Sequence, residues 1–132
     1  MRVVVDTNIL VSAFWAAPSM PAEILSLVLS GELVPCYDDR IMTEYREVLM
    51  RPKFNFTARE VFGVLGQIEA VGLFVSPPPL SVPFADEDDR KFYEVAKYCG
   101  AVLITGNLRH FPEDEMVQSA SAFLLKFPPL GA

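Results

Sequence analysis

The chain has 132 residues, 52% hydrophobic and 21% charged, with a formal net charge of −6. This suits one compact domain spanning residues 1–132 and excludes a disordered polar segment. No apolar run approaches the roughly 18–20 residues of a membrane helix, and a start with one Arg and then Asp6 does not read as a secretory signal, so the expected location is cytoplasmic.

Residues 2–6 (RVVVD) are a β-branched run of the kind found in buried parallel strands, with Asp6 at the end. Ser19, Pro21 and Gly31 then bracket a helix over roughly residues 20–30. LVPCY (33–37) reads as a second strand. In DDRIMTEYREVL (38–49) the leading acids suit a helix start, and Ile41, Met42, Tyr45, Val48 and Leu49 share one face. Thr57 and Glu60 make a capping box, opening a helix with Val61, Leu65 and Ile68 on one side and Gly72 at its end. LFVS (73–76) reads as a third strand, and SPPPLSVP (76–83) as a stiff surface connection. A helix over about 88–99 carries Phe92, Val95, Ala96 and Cys99 on one face. AVLIT (101–105) is expected as the fourth strand and AFLLKF (122–127) as the fifth. This alternation predicts an α/β fold, a three-layer α/β/α sandwich around a central, mainly parallel five-stranded sheet. Cys36 and Cys99 fit no zinc pattern and read as buried, reduced thiols.

In open parallel sheets, functional groups gather beyond the carboxyl ends of strands where the strand order reverses. Asp6 ends the first strand and Asn107 follows the fourth, so neighbouring positions for those strands put both at one crevice. Asp6 also has a simpler reading, as a cap for the next turn with Thr7 and Asn8. Glu44 borders the apolar stripe of its helix, where a solvated acid paired with an Arg is the plain alternative. In ADEDDRKF four consecutive acids open a helix, and the helix dipole accounts for one or two of them. Asp86 suits the cap, whereas Asp89 lies three residues before Phe92 on the inward side. Adjacent carboxylates repel unless something positive neutralises them, and oxygen donors favour Mg²⁺ or Mn²⁺ over zinc. The single His, His110, cannot build a His-rich site, and no glycine-rich phosphate loop is present. An acidic chain is a poor candidate for nucleic acid unless bound cations reverse the local field.

Four motifs then occur in order: VVVDTNILVSAF (3–14), IMTEYREVL (41–49), DEDDRKFYEVA (86–96) and VLITGNLRHF (102–111). In these the chain resembles the PIN-domain ribonucleases, most closely the bacterial and archaeal branch that supplies toxins of toxin–antitoxin pairs (VapC-like). The resemblance implies a metal-dependent endoribonuclease that hydrolyses RNA phosphodiesters with Mg²⁺ or Mn²⁺. It assigns the catalytic and metal-holding roles to Asp6, Glu44 and Asp89, with Asn107 as a fourth ligand where the family commonly has Asp. Asp86, Asn8 and Thr105 are the supporting residues, and a small antitoxin protein and a homodimer are the implied partners. Arg51, Arg90, Lys91 and Arg109 are candidate contacts for the RNA backbone. Phe14 and Trp15 read as packing residues rather than base-stacking ones, and His110 as a surface or packing residue. Two rivals stand beside this. A phosphatase using Asp6 as nucleophile usually carries a second acid two residues on, where this chain has Asn8. A catalytically weak PIN-like binding module acting through a protein partner is the other, and Asn107 favours it.

Overall fold

The computed structural model describes residues 1–127. Five strands form one sheet: β1 (Arg2–Val5), β2 (Val34–Tyr37), β3 (Leu73–Phe74), β4 (Val102–Ile104) and β5 (Val117–Gln118). Their order is β3-β2-β1-β4-β5, and every neighbouring pair is parallel. Six helices cover the sheet: α1 (Thr7–Trp15), α2 (Met20–Leu29), α3 (Asp39–Leu49), α4 (Ala58–Val71), α5 (Arg90–Cys99) and α6 (Ala120–Lys126). The sandwich is the expected three-layer α/β/α arrangement, with a sheet that is wholly parallel.

β1 lies at the centre, with helices over the sheet's faces, so Val3, Val4 and Val5 are all buried and the strand shows no polar alternation. From β1 the chain fills β2 and β3 on one side, then crosses to β4 and β5 on the other. The strand order therefore reverses between β1 and β4, where Val5 is in register with Ile104.

Local signals hold the helices in place. Ser19 and Asp38 accept hydrogen bonds from the backbone N–H groups of Ala22 (3.1 Å) and Ile41 (2.9 Å). Thr57 and Glu60 form the capping box, with the Glu60 N–H donating to the Thr57 hydroxyl at 3.1 Å. Gly72 joins α4 to β3 so tightly that a Cβ there would lie 2.5 Å from the Ile68 carbonyl oxygen and 2.6 Å from that of Pro35.

Three elements differ from the sequence expectation. AFLLKF is not a fifth strand: residues 120–126 form α6, with Phe123 and Leu124 buried. An apolar run of that length suits either element, and the Ser119 side chain, accepting from the Ala122 N–H at 3.1 Å, decides for the helix. The fifth strand lies just upstream, at Val117–Gln118. The second difference is α1, which begins directly after Asp6 and which the sequence reading does not anticipate. The third strand is also shorter than 73–76, ending at Phe74.

Beyond it, the proline-rich segment crosses the surface as expected, with Leu80, Val82 and Phe84 packed against the core. It is pinned at Leu80, whose N–H donates to Glu94 at 2.7 Å and whose carbonyl accepts from Arg90 at 2.7 Å. Among the described residues, no single helix is long and apolar enough to cross a membrane.

Candidate active site

Asp6 stands one residue past β1, its N–H still bonded to the Ile104 carbonyl at 2.9 Å. Its buried carboxylate makes no capping hydrogen bond to α1, although the Thr7 N–H beside it favours its charged form, so capping alone does not account for an acid in this position. Instead, Oδ2 accepts from the Thr105 hydroxyl at 2.7 Å and from the Asn8 amide at 3.3 Å. The Asn8 side-chain oxygen accepts from the Gly106 N–H at 3.2 Å, tying the ends of β1 and β4 together. Glu44 arrives from α3, which is anchored to β1 by the Tyr45 hydroxyl donating to the Val5 carbonyl at 2.5 Å. One Glu44 oxygen accepts from the Thr7 hydroxyl. The other pairs with the Lys91 ammonium at 2.8 Å, and the same ammonium donates to the Asp88 carbonyl.

Asp89 enters from the single 3-10 turn Glu87–Asp89 that leads into α5. Its Oδ2 is buried without a hydrogen-bond donor. His110 Nδ1 lies 3.3 Å away, near enough for charge attraction when the imidazole is protonated but outside hydrogen-bond geometry. Asp6, Glu44 and Asp89, with Asp86, Asp88, Thr7 and Asn8, line one cleft of about 450 Å³.

The electrostatics of that cleft are unfavourable to its own charges. Burial, reinforced by the negative charges of Asp89 and Glu44, pushes the Asp6 carboxyl from 3.8 up to about 6, against the opposing hydrogen bond from Thr105. Asp89 is raised as well, by burial and then by Asp86, with His110 and Lys91 opposing. A cation would relieve both groups, and an all-oxygen donor set with an orphaned buried carboxylate oxygen suits a hard divalent ion. Among the described residues, no three His, Cys, Asp or Glu side chains lie close enough to share one ion as they stand. Thr7 and Lys91 occupy both oxygens of Glu44. The residues that fit the ion most directly are therefore Asp6 and Asp89.

The remaining candidates separate into groups. Asp86 caps the turn ahead of α5, accepting from the Asp88 N–H at 2.9 Å. Asn107 is exposed and lines an adjoining pocket with Gly106, Arg109 and His110 rather than the acid cleft. Lys91 is not a surface cation, being buried against Glu44. Arg90 is engaged by Glu87 at 2.6 Å and by the Leu80 carbonyl. Arg51 is exposed and shares with Arg40 and Lys91 a second depression, of about 480 Å³, on the other side of Glu44. Arg109 is exposed on the loop after β4. Sequence reasoning did not single out Thr7 as a Glu44 partner, Lys91 as its counter-ion, or His110 as a neighbour of Asp89. Only Thr7 carried a signal, its adjacency to Asp6. The other two depend on contacts across long stretches of chain.

Carboxylates that follow β1, sit on α3 and precede α5 thus gather at the switch point of a parallel α/β sheet. Residues 2–109 match the family model described as PIN domain, and the chain belongs to that family, whose members are generally nucleases that bind RNA and use divalent metal ions. It is 29% identical over 110 residues to "Uncharacterized protein MJ1680" of Methanocaldococcus jannaschii, an alignment covering 81% of this chain and 71% of that protein. No solved structure matches the chain.

Proposed function

We propose that this protein is a metal-dependent endoribonuclease that hydrolyses RNA phosphodiester bonds with Mg²⁺ or Mn²⁺. The observation that carries the proposal is buried Asp6 beside half-buried Asp89, the first raised to about 6 and the second holding a buried oxygen without a donor. A divalent ion bound there supplies positive charge against the phosphate and favours attack by water.

The chain's own groups divide the remaining work. Asp6 and Asp89 hold the ion, and Thr105 and Asn8 fix the Asp6 carboxylate through its Oδ2. Glu44, held at both oxygens by Thr7 and Lys91, keeps negative charge beside the site. Asn107 and Arg109 present neutral and cationic groups on the loop beside the cleft, and Arg51 offers positive charge past Glu44. The biological setting proposed is the toxin of a toxin–antitoxin pair in the cytoplasm, supported by resemblance to the VapC-like branch. A small antitoxin would be a partner, and the active form would be a homodimer.

The test is cleavage of a mixed RNA pool by highly purified protein with Mn²⁺, Mg²⁺ or chelator, comparing wild type with Asp6→Asn and Asp89→Asn. Metal-dependent cleavage lost in both variants is the expected result. Wild type inactive across metals and RNAs would transfer support to a PIN-like binding module, and activity unchanged in both variants would mean the site is elsewhere.

A further inference from the structure

The acid cleft does not end at the carboxylates. It continues along α1 past Val11 and Ser12 to Phe54, which lines the same cavity as Asp6 and Asp89. Phe54 is one corner of an aromatic cluster. Its ring stacks on Phe56 at 5.5 Å, within 8° of parallel, and Trp15 meets the two rings nearly at right angles, at 5.6 and 6.2 Å. Phe14 backs Phe56 at 5.1 Å. The connection is made by Asn55, whose left-handed backbone (φ 56°) reverses the chain and lets the phenylalanines on either side of it face each other.

A cluster serving only the core would be buried. Here Trp15, on the last turn of α1, is 63% exposed although two rings hold it in place. The rigid mounting and the open indole surface make a platform, and its position at the far end of the acid cleft indicates the occupant. The Lys53 ammonium lies 5.1 Å over the Phe54 ring, and exposed Arg51 is two residues earlier. Cations framing aromatic rings suit a ligand that is both planar and polyanionic. A second copy of this chain is also anionic, but it does not offer the regular alternation of planar base and phosphate that rings framed by cations match.

We infer that Trp15, supported by Phe54 and Phe56, is a stacking platform for one nucleobase of single-stranded RNA whose adjacent phosphate lies in the acid cleft. This rests on the nuclease reading of that cleft. Stacking on an open π-face tolerates any base, so the platform contributes affinity and register more than sequence choice.

Trp15 is the single tryptophan of the chain, so intrinsic fluorescence reports on this position alone. The experiment titrates the full-length Asp89→Asn variant, chosen to slow turnover, with end-labelled oligoadenylate, following indole emission and label anisotropy together. An abasic strand of the same length is the control. Quenching is expected to follow the anisotropy curve for oligoadenylate and to be absent with the abasic strand. Adding Trp15→Leu is expected to weaken oligoadenylate binding about tenfold and abasic binding hardly at all, while Trp15→Phe retains most of the affinity. RNA bound with unchanged indole emission and no effect of Trp15→Leu overturns the platform and leaves the nuclease reading standing. Indole emission that changes with protein concentration alone, alongside a sedimenting dimer, overturns it in favour of a copy–copy interface. If neither strand binds this variant or, in Mn²⁺, the wild type, the nuclease reading fails and the platform with it.

Discussion

Asp6→Asn should stabilise the metal-free protein while abolishing its activity. A carboxyl raised from 3.8 to about 6 by folding is harder to ionise in the folded state than in the unfolded one. At neutral pH that difference is worth about 3 kcal/mol against the folded state. The sign follows from proton counting. Between pH 3.8 and about 6 the folded protein keeps a proton that the unfolded chain releases, so the Asp6 contribution is most favourable below 3.8 and is lost as pH rises through about 6. Asparagine never ionises and escapes the penalty. Its amide oxygen can still accept from Thr105, but the hydrogen bond loses its charge assistance, leaving a net gain of about 1–2 kcal/mol. For a chain of this length that corresponds to a Tm about 3–6 °C higher. The assay is thermal unfolding of both proteins in chelator at pH 7 and pH 4, repeated at pH 7 with Mn²⁺ in large excess. In chelator the variant should lead at pH 7 and the gap should close at pH 4. Excess Mn²⁺ should reverse the order at pH 7, because an ion at 100 times its Kd adds about 2.7 kcal/mol to whichever protein binds it. A variant no more stable than wild type at pH 7 in chelator, or a gap unaltered between pH 7 and 4, would refute the reasoning.

Two further substitutions probe the frame around the site. Glu94→Ala removes the acceptor of the Leu80 N–H and one of the two acid partners of Arg40, so unfolding in urea should show a loss of about 2 kcal/mol, with faster amide exchange across residues 76–85; a loss below about 0.5 kcal/mol would mean that the strap is held by apolar contacts alone. Lys91→Met takes the ammonium from Glu44 and leaves the clustered acids more dependent on an external cation, so Mn²⁺ should raise its Tm further than that of wild type; equal shifts would show that Lys91 does not neutralise the cluster.

Part of the candidate site was legible as a placement, because it depends on strand ends. An acid closing a fully apolar β-branched run has few structural reasons to be there, and pairing of β1 with β4 does bring Asp6 to Thr105. The capping residues Ser19, Asp38 and Thr57 were equally readable, since each acts within three residues of itself. α1 was not, because TNILVSAFW is apolar nearly all round and offers no periodicity to recognise. Lys91 and Glu94 were hidden for a related reason. Both face of α5 and its flanks are covered, so these charged residues are buried beside Phe92 and Val95, paired with Glu44 and Arg40 from α3. Such pairs cross about 50 residues of sequence and leave no local pattern.

The same pairs bear on how so acidic a chain can meet RNA. Five carboxylates line the cleft, Asp6, Glu44, Asp86, Asp88 and Asp89, and the Lys91 ammonium held on Glu44 offsets one of them, so the formal balance of −4 is a strong attraction for a divalent cation. Much of the overall charge of −6 is therefore concentrated where a cation would offset it, and charges farther off than a Debye length of about 8 Å are screened at physiological salt. On the proposed reading the protein needs no basic surface because recognition is local. The ion meets the phosphate, Trp15 meets a base, and Arg51 and Arg109 offer positive charge to the strand on either side.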